Sequence, residues 1–175
     1  PGDPMNYDKL TIKSTEAFMA ARDLAQQSGH PALTPLHLLF ALTTQEEGVV
    51  KPILEKIGAQ PQVVGAAVVV ELDRLPRSTG TQLGMDPKLE EVLRRAEKEM
   101  KELGDEFIST EHMLLALAEV DTPARDLLRK AGVHKDVVLE ALKATRGGQR
   151  VLDREPEGKF QALEKYTRDL TGLAR

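Results

Sequence analysis

Thr34-Pro-Leu-His-Leu-Leu-Phe-Ala-Leu42 returns in the second half of the chain as Ser109-Thr-Glu-His-Met-Leu-Leu-Ala-Leu117. His37 and His112 are 75 residues apart, and Ala41 and Ala116 keep the same offset. Upstream, Phe18 and Ala21 align with Leu93 and Ala96. Downstream, Leu54, Gly58 and Val63-Val64 align with Leu128, Gly132 and Val137-Val138 at 74, one residue having been lost. A period this long, carrying several helices per unit, marks a duplicated helical module. From Leu36 to Leu42 the quoted stretch is apolar on nearly every side, the pattern of a helix buried on most faces.

Around that stretch the capping signals predict an all-α fold. Two pseudo-symmetric four-helix repeats pack into one globular domain, repeat 1 over about 11–75 and repeat 2 over about 86–145. Thr11 is the expected N-cap of a first helix reaching to about Ser28, and Gly29-His30-Pro31 breaks it. Thr34 caps the buried helix, with Pro35 at its first position, where the missing N–H costs nothing. A short helix around 49–57 ends at Gly58, and a fourth covers about 61–75. Residues 76–85 form the hinge between copies. Asp86-Pro87, Ser109 and Thr122-Pro123 then open the matching helices of the second copy, and the last runs from His134 to about Thr145. Val68-Val69-Val70 is β-branched but sits in a helix-length window and is assigned to helix.

At the ends, Pro1-Gly2-Asp3-Pro4 is expected to be a vector or tag remnant ahead of Met5. Residues 146–158 are rich in Gly, Pro and charge, the composition of a flexible linker. Residues 159–175 form a separate short helical segment with Leu163, Tyr166, Leu170 and Leu173 on one face, interrupted at Arg175 as in a fragment of something longer.

Composition removes most chemistry. A net charge of −4 gives no electrostatic reason to bind nucleic acid or an anionic membrane. There is no cysteine, which excludes disulfides and thiolate sites and fits a cytoplasmic setting. The one Gly-Lys pair, Gly158-Lys159, lacks the rest of a phosphate-binding loop. His30, His37, His112 and His134 are never paired at metal-ligand spacing, so no metal or cofactor is expected in this chain. Helix 88–102 carries Glu90/Arg94, Glu91/Arg95 and Glu97/Lys101 as ordinary solvated i,i+4 pairs. No nucleophile–base pair supports a hydrolase. A duplicated module without equipped side chains is expected to bind rather than catalyse.

The repeated Thr34-Pro-Leu-His-Leu-Leu and Phe107-Ile-Ser-Thr-Glu-His-Met-Leu, the turn Gly104-Asp105, the linker Arg146-Gly-Gly and the exit segment Ala162-Leu-Glu-Lys-Tyr-Thr-Arg-Asp-Leu-Thr together resemble the N-terminal domain of the Clp/AAA+ unfoldases, in the ClpB disaggregase branch. The resemblance spans residues 5–175. It implies a substrate-recognition domain of an ATP-dependent protein disaggregase, a molecular chaperone that binds exposed hydrophobic segments of unfolded or aggregated polypeptides. It also implies a homohexameric parent that uses ATP and Mg and works with a DnaK-type chaperone system, and it makes 159–175 the start of the passage into an ATPase domain. Three polar positions match those associated with client binding, Thr11, Asp105 and Glu111. Each equally suits a local role, as N-cap, turn former and first-turn acid. Arg95, Glu99 and His112 depart from an apolar lining and imply a narrower or more amphipathic groove. Docking of a folded adaptor, as in protease-associated unfoldases, is the alternative use of the same fold.

Overall fold

The computed structural model describes residues 7–78, 80, 82–152 and 154–157. The expectations for Pro1–Pro4 and for 159–175, with Leu163, Tyr166, Leu170 and Leu173, lie outside them. A 3-10 turn at Tyr7–Lys9 leads into α1 (Ile12–Gln27), α2 (Pro35–Thr44), α3 (Val50–Ile57) and α4 (Pro61–Asp73). The second copy follows as α5 (Pro87–Glu102), α6 (Thr110–Glu119), α7 (Pro123–Lys130) and α8 (Lys135–Arg146). Most helices start where a capping residue or an N1 proline stands; α3, after Val49, and α8, after His134, lack a side-chain cap. Thr11 accepts the Ser14 N–H, Asp86 that of Lys88, and Thr122 that of Arg125. Val68–Val70 lies inside α4, as its window length indicated.

The fold adds one feature to the all-α expectation. Ala32–Leu33 (β1) and Gly84–Met85 (β2) form a two-residue parallel pair, and Leu10 makes an isolated parallel bridge with Ile108. Leu10, Leu33, Met85 and Ile108 each stand directly before a helix N-cap, whose own backbone is extended. Capping therefore dictates extended steps too short to leave a strand period in the sequence.

These pairings cross between the copies. The lead-in to α5 pairs with the lead-in to α2, and the lead-in to α1 pairs with the lead-in to α6. The Asp86 N–H donates to Leu33 O at 2.9 Å, and at the equivalent place Thr11 N–H donates to Ile108 O at 3.0 Å. The helices interlock in the same way: α3 packs on α8 and α4 on α7, while α1 lies on α2 and α5 on α6. Helices α2 and α6 meet at the centre, and the side chains of Leu38, Leu39, Leu42, Met113, Leu114 and Leu115 are fully buried in one continuous core. With little aromatic volume available, that core is aliphatic. Among the described residues no single helix is long and apolar enough to cross a membrane.

Ala41 and Ala116 are buried on α2 and α6. Ala41→Asp and Ala116→Asp each force a carboxylate into this core with no partner, at a cost of several kcal/mol, about the stability of a small domain. Each variant is expected to lose its cooperative thermal transition by circular dichroism at 25 °C and above. A variant that melts with the parent would contradict the central placement of its helix.

Candidate functional site

Helices α2 and α6 begin deep in the protein, so their first N–H groups must be satisfied by protein atoms. A histidine at the third position of each does this. Thr34 N–H donates to His37 Nδ1 at 3.0 Å, and Ser109 N–H donates to His112 Nδ1 at 2.8 Å. This is a capping box with imidazole in the place usually held by Glu or Gln. Because Nδ1 accepts, the proton of each neutral ring sits on Nε2. Burial, then the neighbouring His30, lowers the His37 pKa to about 4. Burial also lowers His112, against the opposing pull of Asp105.

The two Nε2–H groups find different partners. His37 Nε2 lies 2.9 Å from His30 Nδ1, and His112 Nε2 lies 2.7 Å from Asp105 Oδ2. His30 and Asp105 are equivalent positions of the duplication. Each follows a left-handed glycine, Gly29 (φ 71°) or Gly104 (φ 74°), that ends the preceding helix. His30 N–H donates to Ala25 O and Asp105 N–H to Met100 O, both at 3.0 Å, closing the turn and aiming the side chain at the histidine. The same scaffold thus holds a histidine pair in one copy and a buried carboxylate in the other.

That carboxylate gathers a network. Arg146, at the end of α8, donates from Nη1 to Asp105 Oδ2 at 2.8 Å, and Val151 N–H donates to Asp105 Oδ1 at 2.8 Å. Burial alone would raise the Asp105 pKa; the hydrogen bonds from His112, Val151 and Arg146 outweigh it and hold the group below its ordinary value. Arg146 Nη2 also approaches Glu111 Oε2 at 3.5 Å. Glu111 is completely enclosed, and burial, reinforced by Glu157 and Asp105 against the pull of Arg146, pushes its pKa up to about 8. Burial thus outweighs the nearby guanidinium and favours the neutral acid. Glu157 accepts the Thr11 hydroxyl at 2.8 Å and the Thr110 N–H at 3.2 Å with one oxygen, and burial raises its pKa as well.

Thr11, Asp105 and Glu111 thus converge, although 100 residues separate the first from the last. They converge in the interior: Thr11 and Glu111 have no exposed surface and Asp105 is 6% exposed. The cover is residues 147–152 and 154–157, within the stretch expected to be a linker, which contact both sides of the joint between Leu10 and Ile108. Ile12 N–H donates to Arg154 O at 2.9 Å and Glu106 N–H to Val151 O at 2.8 Å. Sequence reasoning did not single out His30, Arg146 or Glu157. The offset of 75 aligns His30 with Asp105 and was the available signal for the first. Arg146 and Glu157 join through tertiary packing that no local pattern announces.

Other charges settle differently from the i,i+4 expectation. Arg95 turns from Glu91 to Glu99, at 3.0 Å, because Glu99 is buried and also takes Lys135 Nζ at 2.8 Å. Glu97 and Lys101 do pair, at 3.2 Å. The charged residues expected to line a groove on α5 therefore neutralise one another where α5 meets α8. Among the described residues no three His, Asp or Glu side chains cluster as a metal site. Apolar side chains left on the surface include Tyr7, Ile12 and Met19 near the N-terminal end of α1, where the Tyr7 ring leans on Phe18 at 5.8 Å between centroids.

The model of the family described as the Clp repeat (R) N-terminal domain matches residues 9–131. A chaperone protein ClpB from Propionibacterium freudenreichii subsp. shermanii is 40% identical over 174 residues, 98% of this chain. The aligned chain spans 20% of that relative's length. The crystal structure of the Hsp104 N-terminal domain from Candida albicans superposes with a TM-score of 0.73 at 24% identity, covering 85% of this chain and 99% of that one. A ClpV N-domain in complex with a VipB peptide superposes with a TM-score of 0.65 at 21% identity, covering 82% of this chain and 94% of that one. At these identities the two structures speak to the fold.

A carboxyl whose folded pKa is raised, as at Glu111, stabilises the fold fully below its unfolded value of 4.5 and loses that contribution as pH climbs through about 8. Glu111→Gln removes the loss. Between pH 5 and pH 9 the stability of the parent is expected to fall, relative to Glu111→Gln, by more than about 1 kcal/mol in urea denaturation. Parallel stability profiles for the two proteins would show that Glu111 is ionised at neutral pH.

Proposed function

The chain belongs to the Clp repeat N-terminal domain family, and on that premise we propose that it is the substrate-recognition domain of an ATP-dependent disaggregase. It captures exposed hydrophobic segments of unfolded or aggregated polypeptides and passes them to a hexameric ATPase ring elsewhere in the parent. ATP, Mg, the DnaK-type partner system and the cytoplasmic setting belong to that parent. The observation that carries this reading is the apolar surface at Tyr7, Ile12 and Met19, beside Thr11 and the covered Asp105 and Glu111. Ile12 and Met19 are seven residues apart on α1 and share a face. The peptide complex of a ClpV N-domain supports the use of this fold for polypeptide capture.

The energetics suit capture without retention. At about 25 cal/mol per Å² of apolar area, covering a few side chains returns several kcal/mol. Much of that is consumed in ordering an unfolded client, so binding is weak and tolerant of sequence. Thr11, Asp105 and Glu111 act here by shaping the surface and by answering the polar backbone of the client.

NMR titration of the isotopically labelled chain with a denatured client tests this. Amide shifts are expected to cluster at 7–19 and near Asp105 and Glu111. Ile12→Asp combined with Met19→Asp is expected to weaken binding at least about tenfold, with little change in thermal stability because both side chains are exposed. Shifts confined to 60–75, or an unchanged affinity in the double variant, would overturn the assignment. A tight complex with one folded protein and none with denatured clients would support adaptor docking instead.

A further inference from the structure

Glu157 carries a carboxylate into the body of the fold from the segment that follows α8. The segment leaves α8 through Gly147 and Gly148, both in left-handed backbone (φ 57° and 94°). Beyond them, described residues anchor it to both copies. Val151 is fully buried and hydrogen bonds to Glu106 and Asp105; Arg154 meets Ile12 through its carbonyl and Asp8 through its guanidinium; Glu157 meets Thr11 and Thr110. Leu152, its other large apolar side chain among the described residues, is 56% exposed and adds nothing to the hold. Its Val151 and Arg154 carbonyls take N–H groups from both copies, those of Glu106 and Ile12.

The seat under Glu157 is chemically defined. Thr110 N–H is the first donor of α6, a ten-residue helix whose N-terminus favours negative charge. The Thr11 hydroxyl is the second donor, fixed by its place at the cap of α1. Glu157 occupies the seat through Oε2, while its Oε1 is buried without a hydrogen-bond partner. Thr110 Oγ1 and both Glu111 oxygens are likewise buried without a hydrogen bond. Polar capacity at the head of α6 thus exceeds what this occupant uses. The first copy has no such seat. At the positions equivalent to Thr110, Glu111 and Thr11 stand Pro35, which has no N–H, Leu36, which has no polar group, and Asp86, which would repel an anion. The donors are peculiar to the joint that the segment covers.

We propose that the segment after α8 is, through Glu157, an internal occupant of a carboxylate seat at the head of α6, and that a client segment bearing an acidic side chain binds by displacing it. The occupant presents what such a client would: backbone carbonyls, at Val151 and Arg154, that accept from the Glu106 and Ile12 N–H groups, with one carboxylate delivered to Thr11 and Thr110. Displacement bares Asp105 and Glu111 and joins them to the apolar surface of Tyr7, Ile12 and Met19. The proposal rests on the reading of this chain as a binder of unfolded polypeptide.

Two short labelled peptides rich in Leu and Val, identical except for one Glu replaced by Gln, distinguish the possibilities by fluorescence anisotropy with the full chain. Glu157→Ala empties the seat. It is expected to tighten the Glu peptide by about tenfold, the gain from removing an internal competitor, and the Gln peptide by less than about twofold. Equal tightening of both peptides would contradict a carboxylate seat and leave a steric cover. Unchanged affinities would overturn displacement while the client reading stood. Absence of binding to either protein would overturn the client reading as well. A measurement on the parent chain guards against misfolding of the variant. At saturation with the Glu peptide, the Val151 amide is expected to lose hydrogen-exchange protection and the Thr110 resonance to shift. A Val151 amide that stays protected at saturation would overturn the proposal.

Discussion

Two helices that start in the dry centre of a protein must have their first N–H groups answered by the protein itself, and in this chain a histidine answers them twice. His37 and His112 fix the entries of α2 and α6 through Nδ1 and so commit Nε2 to a donor role. The rest follows from what stands opposite that donor. The turns at Gly29 and Gly104 bring position 30 in one copy and position 105 in the other to the same place. The lead-ins that precede the caps then pair across the copies, so that neither repeat closes its own joints.

The duplication diverges at that position. His30 meets His37 as one ring nitrogen against another in the first copy, whereas Asp105 places a carboxylate in the second, and a buried charge requires compensation. Arg146 and the Val151 N–H supply it, which draws the end of α8 and the segment after it across the joint. Glu111 and Glu157 are then enclosed in turn: burial raises the pKa of each, while Arg146 and, at Glu157, the Thr11 and Thr110 donors pull toward the carboxylate. One substitution between equivalent positions thus connects the interior of the fold to a segment at its edge. It also makes the two copies of a nearly symmetric domain chemically different.

Much of the architecture was legible in the sequence because capping is local chemistry. Thr11, Asp86 and Thr122 stand where helices begin, and the apolar run after Thr34 and Ser109 identifies the buried pair. The cross-copy β pairing was not legible, because one- or two-residue extended steps leave no alternation to detect. The candidate site was half legible. Thr11, Asp105 and Glu111 were marked by resemblance; Arg146 joins Asp105 to Glu111, and Glu157 ties Thr11 to the head of α6. Their burial was hidden, since it depends on Arg146 and Glu157 arriving from a stretch whose Gly-, Pro- and charge-rich composition resembles that of any linker. Glu99 draws Arg95, four residues before it, away from Glu91 and adds Lys135, 36 residues away, for the same reason: a buried carboxylate takes the partners that burial supplies.

If the charge on Asp105 is what binds the end of α8 and its following segment to the domain, the energies of Asp105 and Arg146 must be coupled. A double-mutant cycle with Asp105→Asn and Arg146→Met, read by urea denaturation at neutral pH, measures that coupling. The account predicts that Arg146→Met costs about 3–5 kcal/mol when Asp105 is present, the penalty of stranding a buried charge, and at least about 1.5 kcal/mol less when Asn replaces it. An equal cost in both backgrounds would contradict it.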